Sequence, residues 1–121
     1  EMQQRNLIVP VVGDFGGPKA LTAVGGWIRE RGAHVNVFYT SNVEQYLFSS
    51  DAWSRFYANV GTMPLDSSSR FIRSATGRGF GSPGQGGFLM TQMTSSIQAV
   101  VFGARAGTLL YYGDVLRLSQ P

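Results

Sequence analysis

Leu7-Ile8-Val9-Pro10-Val11-Val12-Gly13-Asp14-Phe15-Gly16-Gly17-Pro18 is the stretch on which the fold reading turns. Residues 7–12 are apolar throughout and rich in β-branched side chains, the pattern of a strand buried on both faces rather than one that alternates. Gly-Asp then stops the run, Gly16 and Gly17 bend the chain, and Pro18 suits the first helical position, where its missing N–H costs nothing. The turn that follows such a strand lies at the carboxyl edge of an α/β sheet, where open sheets bind ligands.

Working outward, Leu21, Val24, Trp27 and Ile28 form one apolar stripe at helical spacing. Arg29, Arg31 and Gly32 supply a basic last turn and a residue for the left-handed cap. Residues 35–39 read as a second strand, which makes a strand–helix–strand unit with parallel strands. Ser41 and Glu44 have the spacing of a capping box, so a helix carrying Val43, Tyr46 and Leu47 is expected next. Asp51 reads as the N-cap of another, carrying Trp53, Phe56, Tyr57 and Val60. Arg70 to Arg73 form a short third strand, so a βαβαβ core spans residues 7–74. Six of the eleven residues from Gly77 to Gly87 are glycine, which marks a loop. A helical part covers 94–118, with Ile97, Val100, Val101 and Ala104 on one face and a last helix favoured over a strand near Tyr111 to Leu118. The whole of 1–121 is read as one α/β domain or fragment.

Composition bounds what such a chain does. It is 43% hydrophobic and 14% charged, with no apolar run near the roughly twenty residues of a membrane span, no signal-peptide pattern and no cysteine. No membrane association is therefore expected, and the cytoplasm is the default location. Nine arginines and one lysine against seven acids give +3, but the arginines are scattered rather than clustered, which argues against a nucleic-acid surface. One histidine without cysteine makes a metal site an unpromising expectation. His34 precedes the second strand, at the amino edge and away from any crevice. Gly79 to Gly84 match G-x-G-x-x-G formally, yet Pro83 and the delay to the next helix favour a plain loop over a phosphate cradle.

Three post-strand positions collect the polar residues that a ligand would meet. Asp14, Gly16 and Gly17 follow the first strand; Tyr39, Ser41, Asn42 and Glu44 belong to the second; Arg73 belongs to the third. These eight are the candidate ligand-binding residues, converging on one edge if the sheet is parallel. Asp14, Asn42 and Glu44 each have a plain structural alternative, as turn or cap residues. No catalytic residue is assigned.

Asn6 to Leu21 and Phe38 to Phe48, with Phe71-Ile72-Arg73-Ser74 and Tyr111 to Leu118, resemble the C-terminal part of a family of uncharacterised bacterial proteins. The N-terminal part of that family resembles the cofactor half of class I S-adenosylmethionine-dependent methyltransferases. The resemblance implies a three-layer Rossmann-like parallel sheet, forming the C-terminal half of a larger methyltransferase-like domain. It implies S-adenosylmethionine as a cofactor and a small-molecule ligand, and it makes Asp14, Ser41, Asn42 and Glu44 residues that line the crevice. The turn that would hold the methionine and ribose of the cofactor has no match here. An incomplete sheet is expected to seek its missing N-terminal half or to self-associate. The competing reading is a non-catalytic α/β module that binds a nucleotide-like ligand or a protein partner.

Overall fold

The computed structural model describes residues 1–77 and 89–121; the G-x-G-x-x-G match and nearly all of the glycine-rich loop fall outside the described residues. Among the described residues the architecture is α/β, with five helices and a three-stranded mixed sheet. In chain order these are α1 (Ala20–Glu30), β1 (Val37–Ser41), α2 (Val43–Ser49), α3 (Trp53–Val60), β2 (Arg70–Gly77), β3 (Leu89–Ser96), α4 (Ile97–Arg105) and α5 (Tyr112–Arg117).

The sheet runs β1-β2-β3. β1 and β2 are parallel, with Val37 opposite Arg70 and Tyr39 opposite Ile72, and α2 and α3 carry the chain between them. β3 folds back antiparallel on β2, from Arg70 opposite Ser96 to Gly77 opposite Leu89. The antiparallel strand was not expected. Its sequence, Leu89-Met90-Thr91-Gln92-Met93-Thr94-Ser95-Ser96, holds little that is β-branched apart from threonine, and Thr94 reads as easily as a helix start. The helix in fact starts two residues later, where Ser96 Oγ accepts the Ala99 N–H (3.3 Å). Gln120 bridges Thr94 on the free side of β3, with two backbone hydrogen bonds of 2.7 and 2.8 Å.

Residues 7–12 form no strand. Their side chains stand exposed, up to Val12 at full exposure, and among the described residues the run read as a doubly buried strand has no strand beside it. Apolarity announces that a segment wants cover; it does not supply the neighbour, and the described sheet ends at β1.

The core lies on one face of the sheet. Phe38, Thr40, Phe71 and Arg73 point into it; Phe56 meets Phe38 edge-on (5.8 Å between ring centroids) and Tyr57 meets Phe71 (6.1 Å). Val60, Ile97, Val100 and Val115 are fully buried in the same cluster. Each such apolar side chain contributes about 1.5–3 kcal/mol when it leaves water. Phe15 anchors the N-terminal segment by packing against Phe38 and Phe56. The opposite face carries Val37, Tyr39, Arg70, Met90, Gln92 and Thr94, all exposed.

Candidate functional site

The predicted residues fall into three separate places. The first is a buried polar node. Glu44 lies in the first turn of α2 and Arg73 lies mid-strand in β2, both fully buried. Arg73 clasps the carboxylate two-handed, through Nε to Oε2 (2.7 Å) and Nη2 to Oε1 (3.2 Å). The Tyr57 hydroxyl donates to Oε1 (2.7 Å) and the Thr40 hydroxyl to Oε2 (2.9 Å). Arg73 Nη1 donates to Ser95 Oγ (2.7 Å) and Ser119 Oγ (2.5 Å). Burial, and then the Glu44 charge, drive the Tyr57 phenol far above its usual range. Burial pushes the neighbouring Tyr112 phenol up to about 12.

This node corrects two expectations. Glu44 turns inward to Arg73 rather than back to cap its own helix, and Asn42, not Ser41, is the N-cap residue, without a side-chain cap bond. Arg73, being wholly buried, borders no crevice. Both charges are spent on each other, so the node ties α2, β2, β3 and the C-terminal segment together and leaves little for a substrate. Thr40, Ser95 and Ser119 carry no reading from sequence, and Tyr57 is read there only as part of an apolar helix face. Serines and threonines on a strand carry no signal of their own until a buried guanidinium gives them something to accept from.

The second place is the turn after residues 7–12. Asp14 Oδ1 accepts the Gly16 N–H (2.9 Å) and Asp14 O the Gly17 N–H (3.1 Å). The turn's carbonyls are gripped from α3: Asn59 Nδ2 donates to Phe15 O (3.0 Å) and Gly17 O (2.8 Å), and Arg55 Nε to Gly16 O (3.3 Å). A Cβ on Gly16 would lie 3.3 Å from that of Ala52, so the close approach to α3 favours glycine. Asp14, Gly16, Gly17, Pro18, Arg55, Ala58 and Asn59 line an open cleft of about 480 Å³. Asn42 and Arg73 are not among them. Arg55 and Asn59 were missed, although their four-residue spacing puts both on one helical face.

The third place is the open sheet face. Tyr39 is exposed there, and hydrogen bonding to Ser74, then Ser41, holds its phenol below the usual value. Gln92 Nε2 donates to Ser74 Oγ (2.9 Å). Ser41 itself takes φ +53° beside an irregularity in the β1–β2 register. At the other end, His34 Nε2 meets Asp66 Oδ2 (2.9 Å). These residues precede β1 and β2, so the pre-strand loops of the parallel pair share the amino edge. The Ser68 hydroxyl and N–H, and then His34, hold the Asp66 carboxyl below its ordinary range.

The sequence model of the Domain of unknown function DUF7790 matches residues 1–105. The chain belongs to the DUF7790 family. No curated protein matches it. The DUF7790 match covers the turn at Asp14, all of the parallel β1–β2 unit, β3 and all of α4. Among the described residues, no helix is long and apolar enough to cross a membrane, and no three His, Cys, Asp or Glu side chains group as metal ligands.

Proposed function

We propose that this DUF7790 chain is a non-catalytic α/β module that works by binding another protein chain. The observation that carries this reading is the distribution of polarity, which is inverted at two places. Glu44 and Arg73 are consumed inside by mutual pairing, while residues 7–12 and the Val37, Tyr39 and Met90 side chains face outward. A site for general acid–base chemistry needs an ionisable group within reach of substrate. Exposed large apolar side chains that neighbour one another mark an interaction site, and Val37 and Tyr39 share the open face of β1 while residues 7–12 stand exposed in succession.

A photoreactive amino acid installed at Val37 tests the reading inside cells. Protein adducts of discrete size are expected, and their absence would overturn it.

A second reading rests on a different observation, the parallel β1–β2 pair joined through α2 and α3. That connection is the one by which ligand crevices are built at the carboxyl edge of α/β sheets. In this reading the chain is the C-terminal portion of a three-layer Rossmann-like, methyltransferase-like domain, and the uncovered sheet face receives its second helical layer from the other half. Asp14, Gly16, Gly17, Tyr39, Ser41 and Asn42 would border a small-molecule ligand such as S-adenosylmethionine. Calorimetric titration with S-adenosylmethionine, ATP and NAD separates the two. The binding module gives no saturable heat with any of them; saturable heat with one favours the second reading.

A further inference from the structure

Helix α4 presents two stripes. Ile97, Val100 and Val101 enter the core, while Gln98, Val101, Phe102 and Arg105 recur at three- and four-residue spacing on the adjoining face. That second face is one wall of an open groove of about 450 Å³, and Gly61, Met63 and Leu65, after α3, form the other. Met63 and Val101 are buried at its floor, and Phe102 stands at its rim, 74% exposed. Gln98 and Arg105 lie seven residues, and so about 10 Å, apart along the helix.

Gly61 shows how the Arg105 end is built. It closes α3 at φ −63° and ψ −14°, a conformation open to any residue, so the backbone does not call for glycine. Space does. A Cβ there would lie 2.7 Å from Nη2 of Arg105 and 2.9 Å from Cγ1 of Val101, which makes the guanidinium and the apolar floor immediate neighbours. A second cation is already committed nearby, where Arg29 Nη2 donates to Thr62 O. Arg105 forms no ion pair among the described residues.

An apolar floor alone selects no occupant, but an unspent guanidinium beside it does. The occupant must bring a carboxylate and an apolar side chain to almost the same point. An acidic and an apolar side chain on one face of a helix or strand stand roughly 5–7 Å apart at their Cβ atoms. The last residue of a chain carries both groups on one Cα. Length agrees, because about 10 Å holds three extended residues at roughly 3.3 Å each. At the far end the Gln98 amide offers a donor and an acceptor to a passing backbone.

We propose that the groove between α4 and residues 61–65 binds the free C-terminus of a partner protein that ends in an apolar residue, with Arg105 on the terminal carboxylate and the last side chain between Met63 and Phe102. This deepens the binding-module reading and rests on it, naming the class of partner and a docking site whose residues are not those of the open sheet face.

An array of eight-residue peptides with free C-termini, the last residue varied through all amino acids, tests this against the same array amidated and against amidated peptides carrying an internal glutamate. Free peptides ending in leucine, isoleucine, valine, methionine or phenylalanine should bind the full chain, and amidation should weaken each about fivefold, the scale of an exposed ion pair. Arg105→Gln should erase the difference between free and amidated forms, and Phe102→Ser should weaken both. The two side chains are exposed, so each variant should keep the urea midpoint of the parent. No binding by any peptide, equal binding of free and amidated forms, or a preference for the internal glutamate would overturn the proposal. Peptides that fail while Val37 still gives discrete adducts overturn the groove and leave the binding module standing. Failure of both overturns the two together.

Discussion

Glu44 and Arg73 set the terms at the scale of single residues. Two opposite charges at zero exposure are tolerable only because nearly every lone pair and N–H that matters has a partner: Tyr57, Thr40, Ser95 and Ser119 complete what the pair begins. Removing one charge leaves the other buried and uncompensated, which costs about 3–5 kcal/mol. Glu44→Gln is therefore expected to lose stability on that scale in urea denaturation, with the slope unchanged. The double variant Glu44→Gln/Arg73→Met should lose less than the sum of its two singles, because the orphaned guanidinium is gone. Additive losses would show that the pair is not coupled.

Helix α1 shows at the scale of elements why two adjacent glycines are not equivalent. A Cβ on Gly25 would sit 3.2 Å from both Cα and Cγ of Met63, so the helix rides close on the loop after α3. Gly26 faces open space. Alanine in an exposed helix interior gains about 0.5–1 kcal/mol over glycine. Gly26→Ala should raise stability by that amount, read as a shift of the urea midpoint, and Gly25→Ala should gain clearly less because Met63 must give way. Equal gains would mean that the close approach is not part of the packing. From the sequence the small pair is expected to let the helix sit close on the sheet; the structure puts Met63, in the loop after α3, at Gly25 instead, and nothing at Gly26.

Carboxylates held low by the fold govern the pH response of the whole molecule. Asp66 is lowered mainly by the Ser68 hydroxyl, and Asp114 mainly by the Tyr111 N–H and then the Leu110 N–H. A carboxyl whose folded pKa lies below its unfolded value stabilises the fold above the unfolded value, about 3.9, and loses that contribution as pH falls through the folded one. The melting temperature should therefore hold between about pH 7 and 5 and drop below about pH 4. Ser68→Ala should shrink the acid part of that drop by weakening the Asp66 contribution. An unchanged acid limb in the variant would rule out Asp66 as its source. Asp66 meets His34 at the amino edge, so acid weakens the clasp between the two loops that lead into the parallel strands.

The sequence by itself determined the local elements whose signals are periodic or chemical. The stripe of Leu21, Val24, Trp27 and Ile28 is α1 and the run of Trp53, Phe56, Tyr57 and Val60 is α3; the strand read at residues 35–39 starts two residues later, at Val37, and the one read at Arg70 to Arg73 runs on to Gly77. The order of these elements also implied the parallel β1–β2 pair and the position of His34 at the edge where both strands begin. Tertiary structure alone decided the rest, because each remaining question depends on a partner distant in the chain. Residues 7–12 have the apolar composition of a buried strand, yet a strand exists only where another backbone accepts its hydrogen bonds, and no strand of the described sheet pairs with them. Thr91 to Ser96 have weak strand character, yet they form β3 because β2 presents a free edge to them. Glu44 carried the spacing of a capping residue and Arg73 that of a strand-end ligand contact. Across 29 residues of sequence they meet instead, since burial leaves a charge no better partner than its opposite.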